Sequence, residues 1–299
     1  MKKIALAATL SVAIAAAFST GVHAQESLTL KKIKDSGSIT LGHRESSIPF
    51  SYYDDKQQVI GYSHELMLKV VDAIKAELKL AKLDTKLMPV TSANRITLVQ
   101  NGTVDIECGS TTNNTERQKQ VAFSTSIFII GTKLMAKKDA GIKDFADLAG
   151  KNVVTTAGTT SERLIRKMNE EKAMKMNIIS AKDHGESFLT LETGRAVAFM
   201  MDDALLFGEM AKAKKPGDWV VVGTAQSKEA YGCMLRKDDP GFKKVVDAAL
   251  TKAMTSGDAE KIYNKWFMNP IPPKGLNLNM PLSDEMKGLY QAPNDKAFD

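Results

Sequence analysis

The sequence has few of the motifs that mark a catalytic site. It contains no Gly-x-Ser-x-Gly motif, no phosphate-binding glycine-rich loop, no dinucleotide fingerprint and no His-x-x-x-His metal spacing. Apart from one histidine near the N-terminus, His43, His64 and His184 are far apart in sequence. These absences argue against metal chemistry, and no cofactor is expected.

Long runs of like charge are missing as well. The formal net charge is +6, but lysines and arginines are scattered, without the basic run that would follow a phosphate backbone. Nucleic acid is therefore not expected as a partner. A mildly basic surface would still favour the approach of an anionic ligand.

Long hydrophobic runs are confined to the N-terminus. Lys2 and Lys3 precede an almost wholly apolar run at 4–17, and Val22-His23-Ala24 supplies a small-x-small cleavage site. This order predicts a secretory signal peptide over residues 1–24 and a protein of the periplasm. The alternative is a membrane anchor, but a span needs about 20 apolar residues, and this run is shorter.

Cysteine is scarce, with only Cys108 and Cys233. In an oxidising compartment an even count usually means a disulfide; the alternative is two buried free thiols. If the two cysteines pair, the chain must return to its first α/β unit after forming a second, inserted one. We place the crossings near residues 131–133 and 224–229. The expected organisation is therefore lobe 1 over residues 25–132 and 228–299, and lobe 2 over residues 133–227.

Short β-rich runs alternate along the chain with amphipathic helical patterns. This βαβ order predicts mainly parallel sheets covered by helices. One helix is expected to be capped by Ser63, and capping boxes are expected at Thr159 and Asp183. The tail from Asn269 is either an ordered wrap around lobe 1 or a loose end. The predicted strands are 38–42, 85–90, 104–108, 152–157, 177–179, 196–201, 219–222 and 231–235, and further helices are predicted at 93–100 and 240–256.

Hydroxyl groups and arginines cluster just after strands and at helix starts. In open α/β sheets such loops gather along one crevice, where ligands bind. Free backbone N–H groups at a helix start also favour an anion such as a carboxylate. The four loops of this kind are 42–47, 91–95, 109–117 and 158–161.

A family resemblance is carried mainly by residues 107–119. The polar-amino-acid-binding proteins of ABC transporters have a motif similar to ECGSTTNN at 107–114 followed by ERQK at 116–119. Other similar segments are 42–50, 158–162, 180–187 and 196–204. The resemblance is closest to members that bind acidic amino acids. It implies a two-lobed α/β fold of the type 2 periplasmic binding proteins, with each lobe a mainly parallel sheet flanked by helices and a two-strand hinge between them.

The resemblance also implies which residues hold the backbone groups of an amino acid. Arg117 matches the arginine that pairs with the α-carboxylate, and its planar fork suits that group. Ser110 and Thr112 match its neighbours, Thr160 matches a contact at the start of a lobe 2 helix, and Asp202 matches the acceptor for the α-ammonium. The alternatives are a solvated arginine at 117, a plain turn residue at 110 and a helix cap at 202.

A second set of residues matches the group that holds a distal carboxylate. Its members are Arg44, Ser92, Arg95 and His184. The two arginines have no obvious acidic partner in the sequence, and a buried unpaired charge is costly, so they are expected to need an anion. Ser92 could instead be a helix N-cap, and His184 could be a surface residue in a first helical turn.

The resemblance implies a monomeric binding protein without catalysis. Its expected partners are L-glutamate or L-aspartate and the membrane permease subunits of an ABC transporter. The main rival is a dehydratase on the same fold, which would need a general acid beside an apolar ring pocket. Arginines and hydroxyls are predicted where that ring would lie. A role in presenting the ligand to a receptor kinase is a further possibility.

Overall fold

The computed structural model describes residues 27–298, so the predicted signal peptide lies outside the described residues. The helices are α1 (Leu28–Ser36), α2 (Tyr62–Glu77), α3 (Arg95–Gln100), α4 (Thr115–Gln118), α5 (Thr160–Glu171), α6 (His184–Glu192), α7 (Asp203–Lys212), α8 (Pro240–Thr255), α9 (Asp258–Phe267) and α10 (Asp284–Gln291). The strands are β1 (Ser38–His43), β2 (Ser46–Ser47), β3 (Ser51–Tyr53), β4 (Val59–Ile60), β5 (Asp84–Pro89), β6 (Ile106–Glu107), β7 (Thr112–Asn113), β8 (Ala122–Phe123), β9 (Phe128–Lys137), β10 (Asn152–Thr156), β11 (Asn177–Ala181), β12 (Ala198–Asp202), β13 (Trp219–Val222), β14 (Lys228–Tyr231) and β15 (Met234–Leu235).

The first sheet has five strands in the order β5-β1-β6-β15-β8. β1 runs parallel to β5 and β6, whereas β15 runs antiparallel to β6 and β8. The helical connections between β1, β5 and β6 make these three strands parallel. β15 joins them only after the chain has formed most of the second sheet. A small sheet of β2, β3 and β4 lies outside this one.

The second sheet has the order β11-β10-β12-β9-β14-β7, and β13 also pairs with β9. β10 runs parallel to β11 and β12, whereas β9 runs antiparallel to β12, β13 and β14. Both sheets therefore combine parallel and antiparallel neighbours. The predicted α/β architecture, with sheets flanked by helices, is confirmed.

The chain returns from the second sheet to the first at Gly232. The single strand predicted over 231–235 is wrong, because β14 ends at Tyr231 and β15 begins at Met234. At the break, the N–H of Gly232 donates to the carbonyl of Thr111 at 3.0 Å. The apolar pattern is continuous, but its two halves pair with different sheets.

The predicted disulfide between Cys108 and Cys233 is confirmed, and the alternative of free thiols is wrong. The bond links residues 125 positions apart, and both cysteines are fully buried. Cys108 directly follows β6, and Cys233 directly precedes β15, its neighbour in the first sheet. The disulfide therefore fixes the returning chain to the sheet that it left.

Three predictions about helix starts need correction. α2 begins at Tyr62 after Gly61, and the buried Ser63 hydroxyl makes no cap bond. Gly61 is required there because a Cβ at this position would lie 2.3 Å from the Phe50 carbonyl oxygen. At α5, the Thr159 side chain accepts from the Glu162 N–H as predicted, but the Glu162 carboxylate accepts from Gly158 rather than from Thr159. The same arrangement is found at α6. The Asp183 side chain accepts from the Glu186 N–H, but the Glu186 carboxylate accepts from the N–H of Lys182, the residue before the cap.

The C-terminal tail is an ordered wrap, and the alternative of a loose end is wrong for its described part. α10 packs on the core through Met286, Leu289 and Tyr290. The Tyr290 hydroxyl lies 2.8 Å from that of Tyr62 on α2. Within residues 27–298, no helix has the length and apolar character that crossing a membrane requires.

Candidate functional site

The candidate site lies where loops that follow strands of both sheets meet. From the first sheet come the loops after β1, β5 and β6; from the second come the loops after β10, β11 and β12. Hydrogen bonds and close electrostatic interactions link eight of the nine predicted ligand-binding residues, and Ser92 joins them through the packing of its loop. Thr112 and Thr160 are linked through Glu229, and Asp202 acts through its charge on Arg95 and Arg117. The full set is Arg44, Ser92, Arg95, Ser110, Thr112, Arg117, Thr160, His184 and Asp202.

Arg44 and Arg95 form a pair of buried cations. Their side chains are only 1% and 2% exposed. Arg44 Nη1 donates to the Ser110 hydroxyl at 3.4 Å, and Arg95 Nη1 donates to the Ser110 carbonyl at 3.0 Å. Burial and the proximity of Arg95 lower the pKa of Arg44 to about 10. Among the described residues, Arg44 Nη2 and Arg95 Nε have no hydrogen-bond partner.

Arg117 lies apart from that pair, on the short helix α4. The Asn114 side chain caps this helix by accepting from the Arg117 N–H. The guanidinium donates to the Thr112 carbonyl at 2.9 Å and, across to the second sheet's loop, to the Gly158 carbonyl at 3.2 Å. Burial, followed by the charge of Arg95, lowers its pKa to about 10. The alternative of a solvated arginine is wrong, since its side chain is buried.

His184 is the first residue of α6 and is buried, so the alternative of a surface histidine is wrong. Its Nδ1 lies 2.9 Å from the Thr156 hydroxyl, and its Nε2 has no partner among the described residues. Burial, then Arg44 and Arg95, hold its pKa well below the ordinary value of 6.5. The imidazole is therefore neutral at neutral pH.

Ser92 does not act as a helix N-cap, so that alternative is also wrong. α3 begins at Arg95 with Asn94 at the cap position. The turn before it is closed by Thr91 and Asn94, each of whose side chains accepts from the other's N–H. The buried Ser92 hydroxyl has no hydrogen-bond partner within residues 27–298. It is a free donor in the loop that carries Arg95.

Asp202 ends β12 in a buried position. The Tyr231 hydroxyl donates to one carboxylate oxygen, and the Thr132 hydroxyl donates to the other at 3.2 Å. Asp202 stands at the cap position of α7 but makes no cap hydrogen bond; Asp203 bonds the Ala204 N–H instead. Burial and the nearby carboxylate of Glu229 raise the pKa of Asp202 to about 7.

Sequence reasoning missed Glu229, which organises two of the predicted residues. Its buried carboxylate accepts from Thr112 Oγ1 at 2.5 Å and from Thr160 Oγ1 at 2.9 Å. Ser227 donates to its other oxygen at 3.0 Å. Because both threonine hydroxyls donate to Glu229, they offer acceptor lone pairs to the site. The position fell within the predicted crossing 224–229, but no local pattern shows that its side chain points inward.

Sequence reasoning also missed Glu107, and the premise that the arginine pair lacks an acidic neighbour is wrong. Glu107 is fully buried at the end of β6, and its charge acts on Arg44 and Arg95. The hydrogen bonds of both guanidiniums go to hydroxyl or carbonyl oxygens. The carboxylate is therefore a neighbouring charge without being a direct ion-pair partner.

The loops of the two sheets touch each other around the site. Gly158 has a φ of +77°, and a Cβ there would lie 2.7 Å from Ala93 Cα. At the rim, Arg163 on α5 forms an ion pair with Glu116 on α4. The Gly185 N–H donates to the Ser46 hydroxyl at 3.3 Å on another side. These contacts exclude solvent from the arginine pair.

The fold and the site define the class of type 2 periplasmic binding proteins, with two lobes and a polar cleft between them. More particularly, the chain belongs to the bacterial extracellular solute-binding proteins, family 3, whose pattern matches residues 39–269. The resemblance seen in residues 107–119 is thereby confirmed. The matched relatives are solute-binding proteins, which are not enzymes, so the expectation of a protein without catalysis is confirmed on that ground.

Similar proteins are known in sequence and in structure. The chain is 66% identical to the L-glutamate/L-aspartate-binding protein of Pseudomonas aeruginosa over 291 residues, 96% of each chain. It is 64% identical to the glutamate/aspartate import solute-binding protein of Salmonella typhimurium over 270 residues, 90% of this chain and 89% of the other. A mutant of ArgBP from T. maritima matches in structure with a TM-score of 0.71 and 25% identity, covering 80% of this chain and 99% of that one.

Proposed function

We propose that the protein binds L-glutamate or L-aspartate in its cleft and delivers it to the permease of an ABC transporter. One observation carries the proposal. The site contains two separate places for a carboxylate, one at Arg117 and one at Arg44 and Arg95, and a carboxylate at Asp202 for an ammonium. The Pseudomonas aeruginosa and Salmonella typhimurium relatives, which are named for glutamate and aspartate, support the same ligand.

In this proposal, Arg117 and the start of α5 hold the α-carboxylate. Backbone N–H groups at the first turn of a helix attract an anion, and Thr160 is the first residue of α5. The Ser110 and Thr112 hydroxyls donate to Ser47 and Glu229, so their oxygens are available to accept from the α-ammonium next to that carboxylate. Asp202 accepts from the α-ammonium, which completes recognition of the groups that all amino acids share.

The distal carboxylate lies between Arg44, Arg95, Ser92 and His184. These residues include three side-chain atoms that can donate and that lack partners within the described chain: Arg44 Nη2, Arg95 Nε and the Ser92 hydroxyl. His184 adds Nε2, which carries the proton when Nδ1 accepts from Thr156. A buried polar group without a hydrogen bond costs about 1–3 kcal/mol. A carboxylate would satisfy these atoms, whereas an apolar side chain would not.

The lobes are residues 25–132 with 228–299, and residues 133–227. The first sheet takes its strands only from the lobe 1 ranges, and β10 to β13 of the second sheet lie within lobe 2, which supports this division. β7, β9 and β14 also pair in the second sheet but lie in or across the boundary of the lobe 1 ranges. The antiparallel strands β9 and β14 would form the hinge. We further propose that the signal peptide over 1–24 directs the chain to the periplasm, where it works as a monomer.

A thermal-shift screen of refolded protein against the proteinogenic amino acids tests the proposal. Refolding removes any ligand that co-purifies. A ligand at 100 times its Kd stabilises the fold by about 2.7 kcal/mol, which raises Tm by about 5–10 °C at this size. We expect this shift with glutamate and aspartate. A shift with lysine or leucine, and none with either acidic amino acid, would refute the proposal.

A further inference from the structure

Glu107 is a buried carboxylate in a site that we propose binds carboxylates. Two glycines make room for it: a Cβ at Gly42 would lie 3.1 Å from Glu107 Cβ, and one at Gly109 would lie 2.6 Å from Glu107 Oε1. The same position at Gly109 is 2.7 Å from Arg44 Cγ. The backbone is thus shaped to admit this side chain beside the arginine pair.

A short chain of hydrogen bonds connects Glu107 to Arg95. Arg95 Nη1 donates to the Thr111 hydroxyl, and that hydroxyl donates to Glu107 Oε2 at 2.7 Å. Because the threonine proton is committed to the carboxylate, its oxygen is oriented to accept from the guanidinium. Glu107 therefore fixes the direction in which Arg95 presents its remaining donors.

Its charge has a second consequence. Arg44 and Arg95 lie close enough to repel each other, and burial removes the water that would stabilise them. A fixed negative charge offsets part of that cost while no ligand is bound. The same charge repels a ligand carboxylate that arrives at the two arginines, and it acts only weakly on an uncharged amide.

We infer that Glu107 is a positioning and specificity-determining residue that supplies a built-in counter-charge to Arg44 and Arg95. It stabilises the ligand-free site and reduces the margin by which an acidic amino acid is preferred over its amide. The inference rests on the proposed function, because it places the ligand's distal carboxylate at these two arginines.

Glu107→Gln is the direct test, because glutamine keeps an oxygen that accepts from Thr111 while it removes the charge. Two unit charges a few ångströms apart interact strongly even at an effective dielectric constant of about 20. We therefore expect the ratio of glutamate to glutamine affinity, measured by calorimetric titration, to rise at least about tenfold. The Tm of the ligand-free variant should fall. An unchanged or smaller ratio would overturn the inference.

Two further variants separate charge from shape. Glu107→Asp keeps the charge but withdraws the carboxylate by one methylene, so the affinity ratio should not rise as it does in Glu107→Gln, even if Tm falls. Thr111→Val keeps the charge but removes the hydrogen-bond chain to Arg95. The affinity for glutamate should therefore fall, and so should the ratio of glutamate to glutamine affinity. A residue that only fills space would move the ratio in the same direction in all three variants, and that result would contradict the inference.

The test remains decisive if Glu107→Gln does not fold without ligand. Glutamate would then replace the missing negative charge, so a thermal transition should return in millimolar glutamate but not in equal glutamine. Rescue by both ligands, or by neither, would overturn the inference. If the unmodified protein bound neither glutamate nor aspartate, the proposed function itself would fail; if it bound them and only the ratio failed to move, the role of Glu107 alone would fail.

Discussion

Arg95 and Arg117 are both buried arginines in one site, yet their surroundings differ. Arg117 reaches backbone carbonyls on both sides of the cleft, at Thr112 and Gly158. Arg95 bonds Thr111 and Ser110 and keeps a free Nε beside Arg44. These surroundings suit Arg117 to a group that every amino acid carries and Arg95 to a group that only some carry.

Substitution of each arginine separates the two roles. Removing one partner of a buried charge pair typically costs about 2–5 kcal/mol. Arg117→Ala should weaken the binding of glutamate and of glutamine alike. Arg95→Ala should weaken glutamate binding by that amount and reduce the difference in affinity between glutamate and glutamine. Calorimetric titration of both variants with both ligands gives the answer. The ligand orientation would be reversed if Arg117→Ala changed the ratio and Arg95→Ala did not.

The titration of Asp202 predicts how binding depends on pH. Its carboxyl has a pKa of about 7 because of burial and Glu229, so below pH 7 it must release a proton before it accepts an ammonium. Glutamate affinity should therefore fall by up to about tenfold per pH unit from pH 7 to pH 5. The lowered pKa of His184 opposes its protonation as the pH falls, so the change in affinity is assigned to Asp202.

The stability of the ligand-free protein should depend on pH in the opposite direction from glutamate affinity. Folding raises this pKa above the ordinary value of 3.8, so the stabilising contribution is full below pH 3.8 and is lost as the pH rises to about 7. Asp202→Asn is the matched control, with weaker binding that no longer varies between pH 5 and pH 7. A pH-independent Kd in the unmodified protein would contradict this role.

The residue types in loops after strands indicated where the candidate site lies, but the sequence did not indicate which carboxylates are buried in it. The loops that carry Arg44, Arg95 and Arg117 could be marked because hydroxyls and arginines cluster at helix starts, and the family resemblance implied the role of each arginine. Glu107 and Glu229 could not be placed, since a single carboxylate in a strand carries no local signal of its inward direction. Whether such a side chain faces the site depends on neighbouring strands and on glycines far away in sequence.

At the scale of elements, Gly158 links the start of α5 to the loop before α3. A side chain at 158 would collide with Ala93, and this contact exists only where the loops of the two sheets meet. Overpacking of this kind costs about 1–3 kcal/mol, so Gly158→Ala should weaken glutamate binding roughly ten- to hundredfold.

Gly194 provides a matched control for this substitution. Its φ of +76° nearly equals the +77° of Gly158, but a Cβ there meets nothing within 4 Å. Gly194→Ala should therefore show the same backbone strain, about 1–2 kcal/mol, without any effect on binding. Equal losses of glutamate affinity in both variants would show that strain, and not the contact with Ala93, is responsible.

The disulfide belongs to the same scale, because it fixes β15 beside β6. Replacing both Cys108 and Cys233 by serine frees a long loop in the unfolded chain, which should lower the free energy of unfolding by up to about 5 kcal/mol. Urea unfolding of the double variant and of the oxidised unmodified protein measures this, and the reduced unmodified protein is the control for the serine substitutions. Equal midpoints for the oxidised protein and the double variant would contradict a stabilising role.

Element types followed from periodicity, but the division of one apolar run between two sheets did not. Residues 231–235 read as one strand because hydrophobicity is local, whereas pairing is decided by partners more than one hundred residues away. The cap of α2 was displaced for a similar reason: Gly61 is required by the Phe50 carbonyl, which the sequence around Ser63 does not reveal.

At the scale of the whole molecule, cleft residues come from both sheets and the arginine pair is buried by their contact. A ligand bound there must enter before the loops meet and must contact both sides afterwards. Each side alone has an incomplete set. Arg44 and Arg95 follow strands of the first sheet, and His184 and Asp202 belong to strand ends and loops of the second. Arg117 lies on α4, between β7 of the second sheet and β8 of the first. Complete recognition therefore requires closure around the amino acid.

The central claim is that a second carboxylate on the ligand is recognised at Arg44 and Arg95. Calorimetric titration of refolded protein with glutamate and glutamine, and with aspartate and asparagine, tests it directly, because each pair differs chiefly in that charge. We predict that each acid binds more tightly than its amide by about 2–5 kcal/mol, which is at least about thirtyfold in Kd. Equal affinities within a pair, or a preference for the amide, would contradict it.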